Sequence, residues 1–218
     1  YVARHLNDSL GLRYILGRHR MGATLCLASA SAMAFGSKVI PVYEIFKAGH
    51  ELHWTDGLNL FGFFGLDVAV VSHWDNREGG AELDTSCCFI GRVRMEKLRS
   101  MLPTTTILGI DEHTGVLFDF ENEQCEVMGK GKATIQNSQS TKVYEAGEHF
   151  PIQMLGAYHP ATPIREYGNP VKFKSEGQEI YLSPSGEVLE LLQKRELARR
   201  VRNWTEADEL RNQVANMG

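Results

Sequence analysis

Leu27-Ala28-Ser29-Ala30-Ser31-Ala32-Met33 is the stretch whose reading decides the fold. It follows a short apolar run, Ala23-Thr24-Leu25-Cys26, and further small residues follow it. The pattern predicts a buried strand over residues 23 to 28 that turns sharply into a helix over 31 to 36, with one hydroxyl at the corner. A nucleophile elbow needs this layout. The tight turn exposes one side chain, small neighbours let strand and helix close on each other, and the first amides of the helix point at the site. Ser29 is the corner hydroxyl in the favoured register, and Ser31 is its rival. A small-residue joint inside a hydrophobic core would have the same composition.

On the N-terminal side, Val2, Leu6 and Leu10 recur at helical spacing and predict a helix over residues 2 to 17. On the C-terminal side, residues 39 to 54 mix apolar and polar positions without a readable period, and Gly57, Gly62 and Gly65 mark a loop. Asp67-Val68-Ala69-Val70-Val71-Ser72 predicts a second buried strand. Residues 73 to 86 read as a loop with Gly79-Gly80 at its tip, and residues 91 to 102 as a helix stopped by Pro103. Thr106-Ile107-Leu108-Gly109-Ile110 predicts a third buried strand, followed by short strands at hairpin spacing over 116 to 118, 125 to 128 and 133 to 135. Alternating strands and helices followed by hairpins point to an α/β fold: a three-layer sandwich with a mostly parallel sheet and antiparallel strands added at one edge. From Tyr158 the prolines Pro160, Pro163 and Pro170 indicate a linker to residue 186. Two helices then form a hairpin over 187 to 218, the second opening with Thr205 and Asp208 in the manner of a capping box. The expected organisation is thus a domain over 1 to 157, a linker over 158 to 186 and a helical hairpin.

Composition narrows the function classes. Of 218 residues 43% are hydrophobic and 23% charged, enough apolar material for a sizeable core. A net charge of -4 argues against a generally basic nucleic-acid-binding surface, which makes nucleic acid a disfavoured partner. No apolar run approaches the ~20 residues of a membrane span. Cys26, Cys87, Cys88 and Cys125 show no CxxC spacing, so reduced thiols in the cytoplasm are the simplest reading.

A serine becomes a strong nucleophile only when a base takes its proton and a third group orients that base. His73, directly after the second strand, stands where α/β folds place their sites and is the candidate base; a hydrogen-bonded structural histidine is the alternative. Glu44, a carboxylate in the apolar segment Pro41-Val42-Tyr43-Glu44, needs a partner and is the candidate orienting acid; a structural ion pair is the alternative. Asp111 and Glu112 form an acidic pair at a strand end, suited to an amine or guanidinium of a substrate or simply to solvent. Arg92 and Arg94 could hold a substrate carboxylate or coat a helix. His50, Glu51 and His53 spell H-E-x-H, which lacks the H-E-x-x-H spacing of a metal-binding helix, and no metal site is expected.

The residues resemble a known family. Leu27 to Met33 resembles the G-x-S-A-G-A/N elbow of the dipeptidase E and cyanophycinase serine hydrolases, which have a flavodoxin-like, class I glutamine amidotransferase-like fold. Leu58-Asn59-Leu60-Phe61, Ser72-His73-Trp74-Asp75 and Gly109-Ile110-Asp111-Glu112-His113-Thr114 resemble further motifs of that family, in the same order. The resemblance implies Ser29 as nucleophile, His73 as base, Glu44 as the orienting acid and the amide of Ala30 as an oxyanion donor. Leu27 and Ser31 replace the family's elbow glycines, and only 28 residues precede Ser29 where the family has more. The resemblance therefore implies an N-terminally truncated domain whose open sheet edge a second copy of the chain could complete. The tail from Glu196 to Arg211 resembles the C-terminal helical segment of cysteinyl-tRNA synthetase.

These readings converge on a cofactor-free serine hydrolase acting on a small peptide-like substrate, with Ser29, His73 and Glu44 catalytic, Ala30 in the oxyanion hole, and Asp111, Glu112 and Arg92 facing substrate. Two alternatives stand beside it. One is a catalytically silent binding protein, and the other is an RNA-associated module acting through the tail.

Overall fold

The N-terminal residues form two helices where one was expected. Asp8 takes a left-handed φ of 56°, which ends α1 (Val2–Leu6). The Ser9 hydroxyl then accepts the N–H of Leu12 and starts α2 (Leu10–Arg20). The computed structural model describes residues 1–20, 22–160, 171–175, 178–182 and 185–217. Within it, residues 23 to 28 belong to no strand or helix. The buried strand expected there is corrected to a segment that is exposed or half-buried throughout, because among the described residues no strand pairs with it. Its alternation still works on one side: Leu25 and Leu27 turn inward onto Ala34, Phe35 and Leu60. α3 (Ala30–Ala34) follows at once and buries Met33 and Ala34.

The segment without a readable period contains β1 (Lys38–Val39), α4 (Val42–Phe46) and β2 (Thr55–Asp56), which pairs with β1. A 3-10 turn over Leu60–Phe64 leads into β3 (Val68–Val71), whose four residues are all buried. After a loop come α5 (Arg92–Ser100) and β4 (Thr106–Ile110). Then follow β5 (Thr114–Asp119), β6 (Gln124–Gly129), β7 (Lys132–Gln136), β8 (Thr141–Glu145) and β9 (His149–Pro151). The central sheet has the order β3-β4-β7-β8. β3 and β4 run parallel, while β4/β7 and β7/β8 are antiparallel. The sheet is therefore mixed, where a mostly parallel one was expected.

Strand periodicity sorts the core into two faces. Val68, Val70 and Leu108 join Cys125, Val127, Phe150 and Ile152 in one cluster, whereas Val71 and Ile107 join Met33, Ile45, Met95 and Leu98 in another. Helices α3, α4 and α5 cover the second face. The first is covered by a separate antiparallel sheet, β5-β6-β9. A flavodoxin-like sandwich has helices on both faces; here the hairpin-forming sequence after Ile110 supplies a sheet to one of them.

The chain divides into two compact units, residues 1–17 with 24–161, and residues 18–23 with 162–218. In the second unit, part of the expected linker forms a β-hairpin, β10 (Val171–Ser175) with β11 (Gln178–Leu182); Pro163 and Pro170 lie outside the described residues. The two expected helices are α6 (Gly186–Arg200) and α7 (Trp204–Ala215), packed through Leu191, Ala198, Ala207 and Leu210. Leu197 and Val201 are exposed. The box that starts α7 is Asn203 with Glu206, two residues earlier than Thr205 with Asp208. Asn203 accepts the Glu206 N–H at 3.3 Å and donates to its carboxylate at 2.8 Å. Among the described residues no helix is long and apolar enough to cross a membrane.

Candidate active site

Ser29 sits at the corner between residues 23 to 28 and α3 with φ 48° and ψ -120°. A non-glycine residue held there costs on the order of 1–3 kcal/mol, so the surroundings must impose it. Two features do. The Ser31 hydroxyl donates to the carbonyl of Ala28 at 2.7 Å and accepts its N–H at 2.9 Å, which closes the corner like a staple. The carbonyls of Ala28 and Ser29 also accept the N–H groups of Ser31 and Met33. Ser31, the rival nucleophile, is thus engaged in bracing the turn. Neither departure from a glycine-flanked elbow prevents the corner: Leu27 packs into the apolar cluster beside it, and Ser31 supplies the staple.

The Ser29 hydroxyl meets His73 Nε2 at 2.9 Å. His73 stands two residues past β3 in a left-handed conformation, φ 52°. Its backbone is pinned from two directions. The next residue, Trp74, donates its N–H to the Ile110 carbonyl at 3.0 Å, and the His73 carbonyl accepts the N–H of Cys88 at 3.1 Å. The Trp74 indole lies against Gly109 of β4, where a Cβ would come within 2.3 Å of the ring. Glycine at 109 is therefore a condition for Trp74, and so for its neighbour His73, to sit against the strand end.

The carboxylate that meets His73 Nδ1 is Glu112, at 3.1 Å. Glu44, expected in that place, is corrected: α4 turns Ile45 into the core, and that phase leaves Tyr43, Glu44 and Lys47 exposed. Glu112 lies two residues past β4. Parallel pairing of Val71 with Gly109 brings the two strand ends, and the residues that follow them, side by side. Glu112 Oε1 also accepts a hydrogen bond from Asn76 Nδ2 at 2.8 Å, and the Glu112 N–H donates to Asp75 at 2.8 Å. The Asn76 amide first, and then the His73 ring, hold the Glu112 carboxyl below its ordinary pKa. An ionised Glu112 only accepts, so the neutral imidazole carries its proton on Nδ1. Nε2 is then an acceptor, and the Ser29 hydroxyl donates to it. The side chains of His73 and Glu112 are each 35% exposed, which leaves the site open to solvent.

The remaining expected site residues fall in three places. The amide of Ala30 is the first of α3, adjacent to Ser29, at a position where a helix has no intrahelical acceptor for it. Asp111 is structural: its carboxylate accepts the Lys132 N–H at 2.9 Å and ties β4 to β7, while burial pushes its pKa up. Arg92 is exposed at the first turn of α5, its own N–H held by Asp84 at 2.7 Å. Among the described residues, no hydrogen bond joins Arg92 or Glu44 to Ser29, His73 or Glu112. No group of three or more potential metal ligands occurs among the described residues, and His53 bonds the carbonyl of Glu51. Sequence reasoning gave Glu112 a different role and passed over Asn76. The available signal was position: both catalytic-type side chains lie two residues past adjacent buried strands.

No family model matches the chain. A cysteine–tRNA ligase of Chlamydia felis (strain Fe/C-56) is 31% identical over 111 residues, 51% of this chain and 19% of the ligase. The chain thus spans about a fifth of the length of that curated relative, and the likeness covers part of the chain. Among solved structures, a peptidase from an acI-B1 Actinobacterium superposes with a TM-score of 0.40 at 20% identity, covering 56% of this chain and 43% of that one.

Proposed function

We propose that the chain is a serine hydrolase that cleaves a peptide or isopeptide-like amide through an acyl-enzyme on Ser29. The observation that carries this reading is the unbroken run of contacts from the strained Ser29 through His73 to an ionised Glu112. His73 Nε2 takes the Ser29 proton as Oγ attacks the substrate carbonyl carbon. The Ala30 amide, next to the nucleophile, faces the oxygen that becomes negative. The imidazolium returns its proton to the leaving amine, and water, deprotonated by the same ring, releases the acid. Glu112 holds the ring in the required tautomer and stabilises its charged form. The reaction as drawn uses these side chains and water alone.

The same reading relates residues 1–157 to the class I glutamine amidotransferase-like domains of the dipeptidase E and cyanophycinase family. The order of the four resembling motifs supports it, as does the placement of His73 and Glu112 past the ends of β3 and β4. The four free thiols suit a reducing compartment such as the cytoplasm.

A fluorophosphonate probe tests the proposal. Stoichiometric labelling of the folded protein, abolished in Ser29→Ala and retained in Ser31→Ala, is expected; a folded protein that takes no label is instead a catalytically silent binding protein.

A second reading, RNA binding through the helical hairpin, draws on one observation. Burial lowers the pKa of Arg195, and Arg199, Arg211 and Arg18 lower it further, so four guanidinium groups gather in the second unit. Binding of tRNA by the full chain that weakens steeply with salt and is lost in Arg199→Gln/Arg211→Gln would favour it.

A further inference from the structure

Ser72-His73-Trp74-Asp75-Asn76 contains the candidate base and, within three residues of it, one group that holds the backbone of Glu112 and one that holds its carboxylate. The Asp75 carboxylate accepts the Glu112 N–H at 2.8 Å and fixes the backbone of residue 112. Asn76 Nδ2 donates to Glu112 Oε1 at 2.8 Å, the same oxygen that His73 Nδ1 meets at 3.1 Å. Asn76 is only 3% exposed, and both ends of its amide are committed, since its Oδ1 accepts the Glu78 N–H at 3.2 Å. That commitment sets which end of the amide faces Glu112. Its own N–H donates to the His73 carbonyl at 3.3 Å, so the segment is a closed turn.

We propose that Asn76 is a positioning residue for this site: it holds Glu112 Oε1 in line with His73 Nδ1, and the imidazole therefore keeps Nε2 free to accept the proton of Ser29. The inference rests on the hydrolase reading and deepens it. Without the Asn76 donor, a carboxylate that is 35% exposed can rotate toward water, and the ring loses its fixed tautomer. The charged groups facing Glu112 are His73 and Asp75 from the end of β3 and His113 beside it in the chain. None of these replaces the Asn76 donor on Oε1.

Asn76→Asp keeps the shape and the Oδ1 acceptor for Glu78 but sets a carboxylate against a carboxylate. The expected result is labelling about 10- to 100-fold slower at neutral pH, the scale of a hydrogen bond to a charged group. The added negative charge also raises the pKa of the imidazolium, so the acid limb of the labelling rate moves to higher pH by about one unit. Asn76→Ser, which can still donate, recovers part of the rate. Titration of His73 followed by NMR reads the same clamp without any label and is expected to shift upward in Asn76→Asp. Labelled wild type alongside an Asn76→Asp variant with unchanged rate, pH profile and His73 titration overturns the positioning role and leaves the hydrolase reading intact. Unlabelled wild type with a shifted His73 titration overturns the hydrolase reading, while the grip of Asn76 on Glu112 stands.

Discussion

Replacing Glu112 by Gln removes one charge at nearly constant shape and has two effects on His73. The amide can donate to His73 Nδ1, which moves the ring proton to Nε2, where it blocks acceptance from Ser29. The lost charge also ceases to stabilise the imidazolium formed in the transition state. At the observed 3.1 Å, that attraction is about 1.3 kcal/mol in a fully aqueous dielectric and about 5 kcal/mol at the effective dielectric of a protein surface. At about 1.4 kcal/mol per decade, the limits correspond to rate losses of about 10-fold and about 10,000-fold. Both side chains are 35% exposed, so solvent screening applies and the expected loss is intermediate, about 100-fold. The assay is the second-order rate of fluorophosphonate labelling in wild type, Glu112→Gln and Glu44→Gln, each checked for folding by circular dichroism. Glu44→Gln is expected to label like wild type, because Glu44 is exposed on α4. Normal labelling by Glu112→Gln, or an equal defect in Glu44→Gln, would refute the assignment of the orienting acid.

Three further outcomes follow from the packing and the ionisable groups. Gly109→Ala drives a methyl group into the Trp74 ring, 2.3 Å from its position, and should destabilise the fold by about 1–3 kcal/mol in urea unfolding while slowing labelling through the displaced His73. Glu112 has its pKa lowered by Asn76 and His73, so its contribution to stability is complete above the ordinary glutamate pKa and is lost as pH falls through the lower folded value. Urea midpoints between pH 7 and pH 3 should fall less steeply at the acid end in Glu112→Gln than in wild type. Burial pushes the thiols of Cys87 and Cys88 up to about 11 and that of Cys125 up to about 12, whereas Cys26 is exposed. A thiol reagent at pH 8 should therefore titrate one cysteine in the native protein and four after unfolding.

The buried strands at Val68–Val71 and Thr106–Ile110, the helix at Arg92–Ser100 and the hairpins that follow were all legible in the chain. Each depends on a short-range period of apolar residues that carries its own signature. The corner at Ser29 and the position of His73 were legible for the same reason, since each is marked by its immediate neighbours. Three things required the folded structure. Residues 23 to 28 have the composition of a buried strand, but a strand exists only where another pairs with it. The second sheet, rather than a helix layer, covers one face of β3 and β4 because β6 and β9 meet across a gap in the chain that no local pattern spans. The choice of Glu112 over Glu44 followed from the parallel register of two strands 35 or more residues apart in sequence, Val71 against Gly109. Local periodicity says which residues are turned inward; which two side chains touch is decided by the pairing of distant strands, and that is a property of the whole fold.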